Sequence, residues 1–213
     1  MNEKDAPVDP IDTPVPIELA AIEFESPGRF AVHNPESVTA DAAQWEPAPF
    51  TLGQHEHLER FSKPQEARAH VLALIQQAQR NLCLYTDDLE PWLYHHSSVQ
   101  QACTRFLLNS PRARLRILLR DPTRAVKEGH RLLALSRRLS SNLHIRKLNP
   151  DYASDELAFL IADDRGLFLR PELDQQSGYT LYNDPARVRQ RQAQFDQAWD
   201  TSITDPDLRS FLL

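Results

Sequence analysis

Glycine is scarce in this sequence, with five residues in 213, at positions 28, 53, 129, 166 and 178. They are too far apart to build a glycine-rich phosphate loop, which excludes the motifs that cradle nucleotide phosphates on closely approaching backbone. Cysteine is scarcer still. Cys83 lies in the apolar stretch Leu82-Cys83-Leu84-Tyr85 and Cys103 in a helix-like run, so both are expected as buried, reduced thiols. No stretch carries a complete metal-binding set, and no cofactor is expected. No apolar run approaches the roughly 18 residues of a membrane-spanning helix. The opening residues Met-Asn-Glu-Lys-Asp-Ala-Pro lack the apolar segment of a secretory signal. The expectation is a bacterial-type cytoplasmic protein.

Proline and charge are abundant but uneven. Eight of the 16 prolines fall within the first 50 residues, which also hold ten acidic side chains against two basic ones. The formal net charge of −6 therefore belongs to this stretch; the remainder is slightly basic. Residues 1–52 read as an acidic, proline-rich arm, disordered at 1–16. Docking of parts of 17–52 is expected from apolar residues there, among them Trp45, Phe50 and Leu52. Residues 53–213 read as one folded domain, with 41% hydrophobic and 25% charged residues over the whole chain.

Periodicity divides that domain into alternating elements. Ala67, Val71, Leu74, Ile75 and Ala78 recur at helical spacing over 64–80, with Pro64 in the first turn. Residues 82–86, 115–119, 143–148 and 158–162 read as strands. Helices are expected at 97–109 (capped by Ser97 or Ser98), at 124–139, and at 185–200. Asp163-Asp164-Arg165-Gly166 reads as a turn leading to a hairpin partner at 167–170, and 179–182 as a further short strand. The order implies an α/β sandwich, a mixed β-sheet flanked by helices.

Three short patterns carry a resemblance. They are the helix and strand of 64–86, the stretch Phe159-Leu160-Ile161-Ala162-Asp163-Asp164-Arg165-Gly166, and Phe195-Asp196-Gln197-Ala198-Trp199 in a late helix. In layout, residues 64–205 resemble one half of the phospholipase-D-like superfamily. Active members of that family carry a histidine, any residue, a lysine, four residues, then an aspartate. With Asp163 as the aspartate, Glu156 stands at the histidine position and Ala158 at the lysine position. The nucleophilic imidazole and the phosphate-holding ammonium are both missing. The Ser and Asn expected downstream are replaced by Leu167-Phe168-Leu169-Arg170. The resemblance implies a single degenerate half-domain, since a complete enzyme of that class needs two motif copies.

The remaining chemistry points towards binding. Between Arg112 and Lys147 eleven basic residues face only Asp121 and Glu128, a net +9. In open α/β sheets ligands bind at the carboxyl ends of strands, where Asp87, Asp88 and His95 follow the first long strand. The candidate ligand-binding residues are Asp87, Asp88, His95, Arg116, Arg120, Arg124 and His130; no catalytic or metal ligand is assigned. The expected function is a non-catalytic, phospholipase-D-like binding or regulatory module. It would recognise an anionic or phosphorylated small molecule, or a protein partner such as a second copy. Alternatives are an enzyme of unrecognised type acting on a phosphorylated substrate, and a nucleic-acid-associated protein. The last has no helix-turn-helix, zinc finger or aromatic platform in its favour, and would need the basic residues on one continuous stripe. The acidic arm could equally dock on the basic run.

Overall fold

The segment before the first helix expected from sequence turns out to be pinned to the domain. In the computed structural model, which describes residues 44–152 and 156–209, Trp45 stacks on His96 with ring centroids 4.1 Å apart, and the Arg68 guanidinium lies over the same indole. The Ala48 N–H donates to the Ala69 carbonyl, and the Gln77 amide brackets the strap, donating to the Phe50 carbonyl and accepting from the Leu52 N–H. Trp45, Phe50 and Leu52 all pack on the main core. The packed unit thus reaches back before residue 53. The expectations for residues 1–16 and 17–32, and for docking of the arm on the basic run, lie outside the described residues.

The elements run β1 (Glu59–Phe61), α1 (Pro64–Gln77), β2 (Asn81–Thr86), a π-helical turn (Glu90–Tyr94), α2 (Ser97–Asn109), β3 (Arg114–Leu119), α3 (Thr123–Lys127), α4 (Arg131–Arg138), β4 (Leu143–Lys147), β5 (Ala158–Ala162), β6 (Gly166–Arg170), β7 (Gly178–Leu181), α5 (Pro185–Asp200) and α6 (Pro206–Arg209). They form a seven-stranded mixed sheet in the order β1-β7-β6-β5-β2-β3-β4. β2, β3 and β4 are parallel, and every other pairing is antiparallel. Alternation along each strand sends Leu82, Leu84, Leu115, Ile117, Leu119 and Leu160 to one face, under α1, α2 and α4. Cys83, Tyr85, Leu118, Phe159 and Ile161 go to the other, with Val188, Phe195, Ala198 and Trp199 of α5. Each fully buried leucine or phenylalanine contributes about 1.5–3 kcal/mol relative to exposure.

Three local expectations change. α1 ends at Gln77 rather than 80, because the amides of Gln79, Arg80 and Asn81 donate to the Asp163 carboxylate instead of to helix carbonyls. The single helix expected at 124–139 is two, α3 and α4, parted where Gly129 takes a left-handed φ of 65° and His130 an extended ψ of 136°. α2 is capped by His96, whose Nδ1 accepts from the Ser98 N–H, while the Ser98 hydroxyl accepts from the Trp45 N–H. β1 and the π-helical turn were not legible in the pattern. β1 can add to β7 only because Gly178 has no side chain. A Cβ there would lie 2.2 Å from the Leu169 carbonyl oxygen and 2.6 Å from the Phe61 ring.

Candidate functional site

The carboxyl ends of β2 and β3 gather most of the residues singled out from sequence. Asp87 and Asp88 follow β2 directly; Arg120 follows β3, and its Nη1 lies 3.6 Å from Asp87 Oδ1. Arg124, one residue into α3, bonds Asp88 at 3.2 Å and Glu128 at 3.2 Å. Burial pushes the Asp87 carboxyl above its usual range; Arg120 opposes this, and the neighbouring Asp88, Asp121 and Glu156 reinforce it. Glu156, which the phospholipase-D-like resemblance sets in place of a histidine, therefore belongs to the same edge, and is exposed. Ala158, which the same resemblance sets in place of a lysine, is a buried residue of β5. This edge is a mesh of carboxylates and guanidiniums that largely neutralise one another.

His95 and His130 stand together on the helical side, their rings edge to face with centroids 4.8 Å apart. Both cap α4. His95 Nδ1 accepts from the Arg131 N–H and His130 Nδ1 from the Leu132 N–H. Burial, aided by the adjacent His95, drives His130 down to about 3, so it is neutral at physiological pH. Asp163 lies at the opposite end of the sheet from Glu156. With a φ of 53°, it spends its carboxylate on three backbone amides at 2.8–2.9 Å, tying the β5–β6 turn to the start of β2.

Sequence reasoning passed over the pair behind the carboxyl edge. Glu90 and Arg170 are buried and meet at 2.9 Å. The Thr86 hydroxyl donates to the other Glu90 oxygen. Arg170 also donates to the Leu173 and Gln175 carbonyls and lies over Trp92. Burial raises Glu90 to about 7 against the opposing pull of Arg170 and Thr86. The pair fixes the π-helical turn and the 171–177 loop to β6. Nothing local marks Glu90 out from Asp87 or Asp88; its burial comes from the left-handed step at Leu89, φ 66°.

Arg116 belongs to a different surface. It sits mid-strand on the α5 face, bonded to Asp196 at 2.8 Å and to Cys83 Sγ at 3.4 Å, over the rings of Phe195 and Trp199. Register pairs it with His144, and pairs Leu118 with Arg146; alternation adds Arg114 to the same face. α5 packs chiefly over β2, β5 and β6, so this basic array lies at its margin. Arg146 covers Trp199 at 4.6 Å. Beside it a groove of roughly 410 Å³ is lined by Arg137, His144, Arg146, Ser136, Ser140 and Thr204, among others. Among the described residues, Arg114, Arg137 and Arg146 meet no carboxylate within 4.0 Å. His144 was not singled out; its place in Leu-His-Ile-Arg-Lys, out of phase with the apolar residues, was the available signal.

A family model matches residues 63–211, most of the chain and nearly all of the folded unit just described. The chain belongs to that family, described as a domain of unknown function, DUF7931. No curated protein matches. Among solved structures, this DUF7931 chain is similar to TrmBL2, described as an archaeal chromatin protein with a novel mode of DNA binding. The identity is 14% and the TM-score 0.53, over 70% of this chain and 54% of that one. The chain thus spans about half the length of TrmBL2, and the likeness is one of fold. It is also similar to Nuc from Salmonella typhimurium, a phospholipase D family member (11% identity, TM-score 0.49, 68% of this chain and 94% of that). NucT from Helicobacter pylori matches at 9% identity and a TM-score of 0.49, over 70% and 99%. Among the described residues, no helix is long and apolar enough to cross a membrane, and no three His, Cys, Asp or Glu side chains are placed to hold a metal ion.

Proposed function

We propose that this chain is a non-catalytic nucleic-acid-associated module that lays a phosphodiester backbone across the basic face of β3 and β4. The observation that carries this reading is the division of the basic run. Its members at the carboxyl edge, Arg120 and Arg124, are engaged by Asp87, Asp88 and Glu128. Those around β4, namely Arg114, Arg137 and Arg146, lack carboxylate partners among the described residues, and Arg137 and Arg146 line a groove. The eleven basic residues do not make one stripe. Arg114 and Arg146 share one face of β3 and β4, Arg137 lines the groove beside Arg146, and arginine suits phosphate contacts. DNA binding by TrmBL2 lends this reading its choice among polyanions. The non-catalytic part rests on Glu156 and Ala158 at the two motif positions and on Asp163 being spent on three amides. On this reading the domain is a degenerate phospholipase-D-like half.

The test is fluorescence anisotropy with labelled single-stranded and duplex oligonucleotides across a salt series. Affinity should fall steeply with salt. An Arg114→Ala/Arg146→Ala double variant should bind about ten-fold more weakly at low salt, with the salt slope reduced by about 2. Absence of binding at low salt, or a double variant that binds like the parent, overturns the reading.

A further inference from the structure

The outer edge of β4 is a strand edge left partly unpaired. In a parallel ladder, alternate residues point their N–H and C=O groups at the same neighbour. The Leu115 N–H donates to the Asn142 carbonyl and the Leu148 N–H to the Leu119 carbonyl. Asn142, His144, Arg146 and Leu148 therefore face β3, while Leu143, Ile145 and Lys147 face outward. Lys147 is satisfied on both counts by Ile203, at 2.9 and 2.8 Å, in an antiparallel bridge. That pairing stops after one residue, as the chain turns through Asp205 and Pro206 into α6. The Leu143 N–H turns back to the Leu139 carbonyl. What is left is the Ile145 N–H, the Ile145 carbonyl and the Leu143 carbonyl, giving onto the 410 Å³ groove.

We infer that this edge takes an extended acidic polypeptide segment, added to β4 as an eighth strand. An edge that alternates donors with acceptors is a template for another strand. A phosphate backbone, being rich in acceptors, would answer the Ile145 N–H and leave both carbonyls without a donor. Charge complementarity supplies the acidic character: Arg137 and Arg146 meet no carboxylate among the described residues, and His144 lines the same groove. Leu143, Ile145 and Leu208 line the same groove, giving an apolar floor for alternate side chains. The Ile203 bridge shows that strand pairing is sterically open on this side. The site shares Arg137 and Arg146 with the nucleic-acid reading but does not depend on it.

The probe is a synthetic, end-capped peptide of alternating valine and glutamate, mixed with the full chain and followed by amide hydrogen exchange in NMR. At saturation the Ile145 amide should exchange about ten-fold more slowly. The same peptide N-methylated at alternate residues should lose binding, a comparison made on unaltered protein. Arg137→Ala should weaken the parent peptide several-fold. Equal binding of the N-methylated peptide, or binding that leaves Ile145 exchange unchanged, overturns the inference. So does an oligonucleotide that protects Ile145 as well as the peptide does. Failure of oligonucleotide binding would sink only the nucleic-acid reading, since the peptide experiment contains no nucleic acid.

Discussion

The carboxyl edge of β2 and β3 and the β3–β4 surface draw on the same run of arginines, yet they differ in what those arginines are free to do. At the carboxyl edge, Arg120 and Arg124 are met by Asp87, Asp88 and Glu128, and a second carboxylate layer, Glu90, is buried against Arg170. Around β4, the guanidinium of Arg114 rests on carbonyls and that of Arg146 on a carbonyl and an indole, while Arg137 lines the groove with its Nε unpaired among the described residues. Net charge over a stretch of sequence therefore says little about where an anion can bind. The number of carboxylates brought to each end of the sheet decides it.

The buried pair is the strongest point at which to break this contrast. Arg170→Met leaves Glu90 buried without its partner and three hydrogen bonds to carbonyls unmade. It should cost about 3–5 kcal/mol in urea unfolding, and Glu90→Gln in the same background should recover part of that loss. Asp163→Ala, at the opposite end of the sheet, removes the acceptor for three amides and should cost roughly 1–3 kcal/mol. Equal losses at the two ends would show that the carboxyl edge holds no special store of stability.

Acid titration separates two buried groups of opposite sign. His130 is held down to about 3, below its value of 6.5 in the unfolded chain, so its contribution is present above 6.5 and lost as pH falls towards 3. Glu90 is raised to about 7, so its contribution is fully present below about 4.5 and lost as pH rises towards 7. His130→Asn keeps an acceptor at the cap and should flatten the acid-side decline; Glu90→Gln should flatten the opposing slope. Unfolding midpoints from pH 4 to about 8 read both. A His130→Asn profile parallel to the parent's would mean that the histidine is not held neutral.

The smallest stability effect is expected from Asp87→Asn/Asp88→Asn. Partly exposed ion pairs contribute about 0–1 kcal/mol, so unfolding should hardly change. Oligonucleotide affinity should nonetheless rise a few-fold as Arg120 loses the Asp87 carboxylate and Arg124 keeps only that of Glu128. No gain at low salt would mean that geometry, and not neutralisation, keeps anions from the carboxyl edge.

The α/β order, the two helices at 97–109 and 185–200, and the strand at 158–162 were legible because their apolar residues repeat at helical spacing or run without a break. Gly129 looked like a tolerable interruption of one helix, and only its left-handed φ made two. The candidate residues were legible as a set of residue types but not as a site. Asp87, Asp88, Arg120, Arg124 and Glu156 share one edge, whereas Arg116 lies on the α5 face, Asp163 at the far end, and His95 and His130 serve as caps.

Composition and alternation alone determined the layering of this protein and which residues of β3 and β4 share a face; Glu156 and Ala158 stand in for a histidine and a lysine only as the phospholipase-D-like resemblance implies. Periodicity is a property of the chain itself, set by 3.6 residues per helical turn and 2 per strand repeat. Tertiary structure alone decided which arginines are neutralised, that Glu90 and Arg170 are buried together, that Asp163 binds three amides, and that half the edge of β4 is open. Each of those depends on partners brought together across long stretches of chain, 80 residues apart for Glu90 and Arg170. Local pattern carries no record of such pairings, because they are fixed by sheet order and by where the chain turns.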